Sequence, residues 1–248
     1  MVTIAVFFFG HWFLSLFAQT FYLHRYAAHG MFTMSRRWER FFFVFTYVVQ
    51  GSSFLNPRAY AVMHRMHHAF SDTEKDPHSP NFFRDVFRFV WHTKKVYMGL
   101  LTGALQPEKR FTENLPVWER FERFADQWVP RILWGILYGL FYLMFATAWW
   151  MFLLLPVHCL MGPVHGAIVN WCGHKYGYVN FDTRDESRNT VNVDVLLMGE
   201  LFQNNHHKFP ARPNFAVRWF EFDPTYALML LLQSIGIIHL VKRPGPVS

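Results

Sequence analysis

The sequence predicts an all-α integral membrane protein: about three transmembrane helices, further re-entrant or interfacial helices, and a cytoplasmic helical cap rich in histidine. Three observations predict it. Apolar residues make up 52% of the 248 residues and aromatics 20%, against 17% charged, and the apolar residues gather in long runs instead of being interspersed. Basic residues are segregated: none occurs in 1–23 or in 132–174, so all 24 fall in 25–131, 175–218 and at Lys242 and Arg243, which is the positive-inside pattern. Finally, the histidines cluster at or beyond the cytoplasmic ends of the apolar runs. The net charge of +7 therefore reads as a cytoplasmic face near anionic lipid. A nucleic-acid binder is disfavoured, because the basic segments are tied to membrane spans. Cys159 and Cys172 form no C-x-x-C pair and read as packed thiols facing a reducing compartment.

The chain reads as one domain over 1–248. Residues 1–23 form an apolar run long enough to cross a hydrocarbon core of about 30 Å. A cleaved signal peptide would need a basic start and a small-residue cleavage site, and neither is present, so the run is expected to be a retained span. His24 and His29 follow it. On a continuous α-helix that spacing sets two side chains about 140° apart, so both face one centre only if the helix bends or ends between them; Gly30 suits an ending. The run 41–55 is short for a crossing and is expected to be re-entrant or interfacial. A crossing there would also put His24 and His29 on the opposite side from the next cluster. Asn56-Pro57 then opens a helix carrying His64, His67 and His68. Positions i, i+3 and i+4 share one helical face, so these three are expected to converge on one point.

After them come Asp72, Glu74 and Asp76, candidates to accept the second N–H of ligand histidines, with Glu200 as a fourth. Residues 82–128 are basic and aromatic, as in helices lying along a membrane surface. Spans are expected at 132–148 and 149–170, with Pro156 as a kink and Trp149 and Trp150 in an interfacial belt. Asn170 and His174 share a face at i, i+4, and in the segment Gln203-Asn204-Asn205-His206-His207 the residues Gln203, His206 and His207 are likewise expected to converge on one point. The apolar run 226–241 is expected to be interfacial, since Lys242 and Arg243 follow it. The cap then comprises 56–131 and 171–225.

Six histidines, His11, His78, His92, His158, His165 and His239, are read as structural. The other eight, with no paired cysteine, exceed what one four-coordinate zinc needs and point to a dimetal site of first-row ions. Imidazole suits iron, zinc, copper and nickel alike. Iron is favoured by the setting, where apolar helices meet the interface: a saturated acyl chain offers nothing to acids, bases or nucleophiles, so chemistry on it requires an oxygen-activating metal.

The order H-x4-H, H-R-x-H-H, N-x3-H and N-N-H-H followed by Phe209-Pro210 resembles the membrane fatty acid desaturases, in particular the stearoyl-CoA (delta-9 acyl-CoA) branch in a bacterial-type short form, from residue 1 to about 220. In that family nine histidines hold two irons and an asparagine contributes through a water. The resemblance thus implies His24, His29, His64, His67, His68, His174, His206 and His207 as iron ligands and Asn170 as the water-bridging residue. Two features depart from the family. Gln203 stands where the family has a further histidine, and an amide oxygen is a weaker ligand. The chain also starts at what resembles the family's second span, so its amino terminus is expected outside, with three crossings.

The activity that the resemblance implies uses O2 and two external electrons to place a cis double bond in a saturated acyl-CoA or acyl lipid. No dinucleotide fingerprint or appended haem or iron–sulfur motif is present, so a separate donor, a ferredoxin, rubredoxin or cytochrome b5-like protein, is expected on the basic face. A bacterial inner-membrane location with the site on the cytoplasmic side fits. The alternatives are a diiron acyl hydroxylase, which would use the same kind of site, and, more distantly, a metal transporter. A transporter calls for ionisable groups deep in the spans, where only His11, His158 and His165 lie.

Overall fold

The computed structural model describes residues 1–241; Lys242 and Arg243 lie outside the described residues. The first helix, α1 (Val2–Phe17), continues without a break into a π-helical segment, Ala18–Ala28. Together they form 27 residues apolar enough to cross a membrane. Gly30, at φ 59°, ends the helix: the Gly30 amide donates to the Tyr26 carbonyl at 2.9 Å, as expected of a left-handed C-terminal glycine.

A short strand, β1 (Phe32–Met34), leads to α2 (Arg36–Gln50), whose N-cap Ser35 accepts from the Trp38 amide. Fifteen residues span only about 22 Å, short of the hydrocarbon thickness. Gly51 ends α2 at φ 52°, with Tyr138 so close that a Cβ at this position would lie 1.8 Å from its hydroxyl oxygen. Asn56 caps α3 (Pro57–Phe70) by accepting from the amides of Arg58 and Ala59, and its amide nitrogen donates to Glu122 and Asp126. The basic, aromatic stretch forms α4 (Val86–Thr102) and α5 (Glu119–Ala125).

The second helix able to cross is α6 (Trp128–Phe145). The segment expected as the third span is a bent pair of helices. Residues 149–173 fold as a 3-10 turn, then α7 (Leu155–Cys159) and α8 (Met161–Gly173), bent by 75° at Leu160. Among the described residues two helices are long and apolar enough to cross, or three if the bent pair is one span. Pro156 is not the break. It sits in the first turn of α7, where the missing N–H has no intrahelical partner to lose. Next come α9 (Gln203–Lys208) and α10 (Pro224–Ser234).

The expected helix over 226–241 is corrected at its end. The amides of Gly236 and Ile237 close back on the carbonyls of Gln233 and Leu232, a Schellman motif with Gly236 at φ 74°. The chain then forms β2 (Ile238–Leu240), antiparallel to β1. This two-stranded ribbon ties the C-terminal segment to the turn just beyond His29. Beside it the main aromatic core, with Phe21, Tyr22, Phe42, Phe43, Phe54, Phe202 and Phe215, joins the first span to α2 and α9. Each such buried ring contributes about 1.5–3 kcal/mol, which holds the histidine-bearing segments in register.

Candidate metal centre

The winding of the first helix decides where its two histidines point. In the π-helical segment the His29 amide donates to the His24 carbonyl at 3.1 Å. Bonding of this i→i+5 kind stacks residue i+5 one turn above residue i, so His24 and His29 face the same way despite a spacing that suits no α-helical face. Their rings lie 5.0 Å apart.

The expected convergence of His64, His67 and His68 is corrected. His64 and His68, one α-helical turn apart, join His24, His29 and His206 in one cluster, while His67 joins His174 and His207 in a second. Adjacent helical residues point about 100° apart, so the pairs His67-His68 and His206-His207 each divide between two centres. The motifs at 64–68 and 203–207 therefore each serve both clusters, whereas His24 and His29 serve the first alone and His174 the second.

In the first cluster Nε2 of His24 lies 2.9 Å from that of His206, His29 2.8 Å from His64, and His68 3.0 Å and 2.9 Å from His64 and His206. Metal–nitrogen bonds of about 2.1 Å meeting at right angles set neighbouring nitrogens about 3.0 Å apart, against about 3.4 Å for tetrahedral angles. The residues therefore fit a cation of high coordination number.

In the second cluster, Nε2 of His67, His174 and His207 is buried without a hydrogen-bond partner among the described residues, an arrangement that costs free energy unless each lone pair meets a donor or a metal ion. Each ring's Nδ1 is held by a carboxylate: His67 by both oxygens of Asp76 at 2.9 Å, His174 by Asp72 at 2.9 Å, His207 by Asp185 at 2.7 Å. With Nδ1–H donating to the carboxylate, the Nε2 lone pair is turned toward the centre. Both clusters can hold a metal ion.

Burial, and then the neighbouring imidazoles, holds His64, His67, His68 and His206 well below the ordinary histidine range, so they are neutral and ready to ligate. Burial would raise Asp72 and Asp185, but the hydrogen bonds from His174 and His207 hold both well below the usual carboxylate range. Asp76 is raised by burial.

Glu200 also takes a carboxylate role: it accepts from His24 Nδ1 at 2.6 Å and from the fully buried Arg25 at 3.0 Å, and Arg25 in turn reaches Asp223 at 2.8 Å and lies over the Phe215 ring. Glu74 is exposed and makes no carboxylate–imidazole contact among the described residues. Asp185 was not a candidate from the sequence, because nothing in its local spacing links it to His207, 22 positions on. The Gln203 amide nitrogen donates to the Glu200 carbonyl at 2.7 Å, and its side chain packs against Gly173. Asn170 donates to the Gly166 carbonyl at 2.9 Å.

Among the histidines read as structural, His11 and His158 bond to each other at 2.6 Å and His158 to Tyr142 at 2.9 Å. His165 packs edge-on to Trp12, His92 packs on Phe83, and His239 lies in β2. His78 is buried, its Nε2 has no partner among the described residues, and it groups with His67 and Asp76. A cavity of about 650 Å³ adjoins the first cluster, walled by His24 and His64, by Tyr60, His78, Asn170 and Gln203, and by apolar residues of α4, α6 and α8.

The fatty acid desaturase family model matches residues 1–230. A hex-5-enoyl-[acyl-carrier protein] acetylenase of Moorena producens is 29% identical over 258 residues, 95% of this chain and 75% of that protein. An sn-1 stearoyl-lipid 9-desaturase of Synechocystis is 30% identical over 225 residues, covering 89% and 66%. An acyl-CoA 5-desaturase of Anemone leveillei is 28% identical over 245 residues, covering 94% and 69%. By their names these three relatives use three different acyl carriers.

Proposed function

The chain belongs to the fatty acid desaturase family, and on that premise we propose that it is an O2-dependent fatty acyl desaturase that introduces a cis double bond into a saturated acyl chain carried by coenzyme A or a lipid. The observation that carries this reading is the mostly apolar cavity walled by His24 and His64: an acyl chain seated in it passes directly beside the first imidazole cluster.

The eight motif histidines would hold two irons, which would supply the oxidising power needed for two unactivated C–H bonds. Saturated acyl chain, O2, two electrons and two protons give the alkene and two waters. The residues of the chain do the rest. Asp72, Asp76, Asp185 and Glu200 hold the Nδ1 atoms of His174, His67, His207 and His24, which orients each Nε2 lone pair. The cavity excludes water and fixes one stretch of chain against the cluster, so that reaction is a matter of proximity and orientation. Asn170, on the cavity wall, acts through a bridging water in this reading, and Gln203 is at most a weak oxygen donor.

Electrons come from a separate ferredoxin, rubredoxin or cytochrome b5-like donor that docks on the basic face, and the site faces the cytoplasm of a bacterial inner membrane. The test is expression in a desaturase-deficient host with mass spectrometry of the lipids. Loss of two hydrogens with an alkene supports the reading; a gain of oxygen without an alkene overturns it in favour of hydroxylation.

A further inference from the structure

The two clusters are unequal, with five imidazoles in the first and three in the second. Gln203, which stands where the family has a further histidine, has its amide nitrogen on a backbone carbonyl. Next to the second cluster stands a histidine that none of the motifs contains. His78 is 5% exposed, and its Nε2 is buried with no partner among the described residues.

The relation of His78 to His67 matches that between members of the clusters. Their ring centroids are 4.4 Å apart at an interplanar angle of 77°. The pairs His67–His174, His67–His207 and His174–His207 stand 4.9–5.0 Å apart at 70–74°; His24–His64 and His68–His206 stand 4.3 Å and 4.7 Å apart at 74° and 87°. Asp76 sets this arrangement, since one carboxylate accepts both from His67 Nδ1 and, at 2.9 Å, from the His78 backbone amide.

We infer that His78 is the fourth imidazole of the second cluster, replacing the one that Gln203 does not supply. This rests on the two-metal reading above. His78 groups with His67 and Asp76 and not with His174 and His207, so ligation turns its ring inward about its own side-chain bonds. His78 borders the adjoining cavity.

The test is anaerobic titration of the detergent-purified full chain with Fe2+ and, separately, with Co2+ followed by visible absorption, with melting of the metal-free protein as the folding control. Loss of an outer partner alone costs about 10–100-fold in metal affinity. His78→Ala and the closer mimic His78→Asn are both expected to weaken the second ion by at least that much and leave the first unchanged, and His78→Ala combined with Gln203→His is expected to restore two tight ions. A merely structural role for His78 would not be relieved by a new imidazole at 203. Two ions bound with wild-type affinity in His78→Asn overturn the inference. So does loss of a third, weaker ion with both tight ones retained, which would assign His78 to a separate site with His67 and Asp76. If the wild-type chain itself holds fewer than two ions, the two-metal reading fails first, and the inference with it.

Discussion

The amide of His29 donates to the carbonyl of His24 across 3.1 Å, and this i→i+5 bond aligns two imidazoles that an α-helix would set far apart. The first long apolar helix thus changes its winding before it reaches its two clustered histidines. The same segment buries Arg25 completely, between Glu200 and Asp223.

Replacing Arg25 by Met is expected to destabilise the protein by about 3–5 kcal/mol, because two buried carboxylates lose their counter-charge. Unfolding in detergent with increasing denaturant measures it. A change below about 1 kcal/mol would show that Glu200 and Asp223 find other partners or take up protons at little cost.

Asp185→Asn is expected to weaken the second metal ion by about 10–100-fold, since His207 loses the carboxylate that orients it. Glu74→Gln, at an exposed position without such a contact, should leave both ions as they are. Metal titration of the two variants side by side decides whether the contact to His207 or mere acidity near the site matters.

Gly51→Ala places a methyl group against the Tyr138 hydroxyl at a positive φ, and overpacking of this kind costs about 1–3 kcal/mol. Removing the hydroxyl in a Gly51→Ala, Tyr138→Phe double variant should recover part of the loss and leave the φ penalty. Thermal melts of the two single variants and the double variant form a cycle; strict additivity would contradict the close approach.

In the absence of metal, stability should fall as pH drops below 6.5. His64, His67, His68 and His206 are held neutral well below that value in the folded protein, whereas in the unfolded chain they take up protons near pH 6.5. The unfolded state then binds more protons, so it gains on the folded one as the solution becomes acidic. Asp72 and Asp185 are depressed instead, so their stabilisation is present above pH 3.8 and is lost only below it. Melting of the apoprotein from pH 8 to pH 5 isolates the imidazole window, and a flat profile there would contradict neutral burial.

The sequence by itself determined the class of the protein and the identity of its chemical groups. Segregated apolar and basic runs mark a membrane protein whatever the tertiary detail, because charge cannot be left in hydrocarbon. The spacing of His64 and His68 places them on one helical face through local geometry alone. Gly30 was legible as a helix end for the same reason.

Tertiary structure decided how the ligands divide. Whether His67 joins its neighbour His68 depends on what faces each side of α3, and that is set by packing against the π-helical segment and α9. The bend at Leu160 and the strand after Gly236 also depend on distant partners. The pairing of Asp185 with His207 and the approach of His78 to His67 join residues whose spacing carries no periodic signal, since a carboxylate or imidazole on a loop reaches its partner through the path of the chain and not through helical repeat.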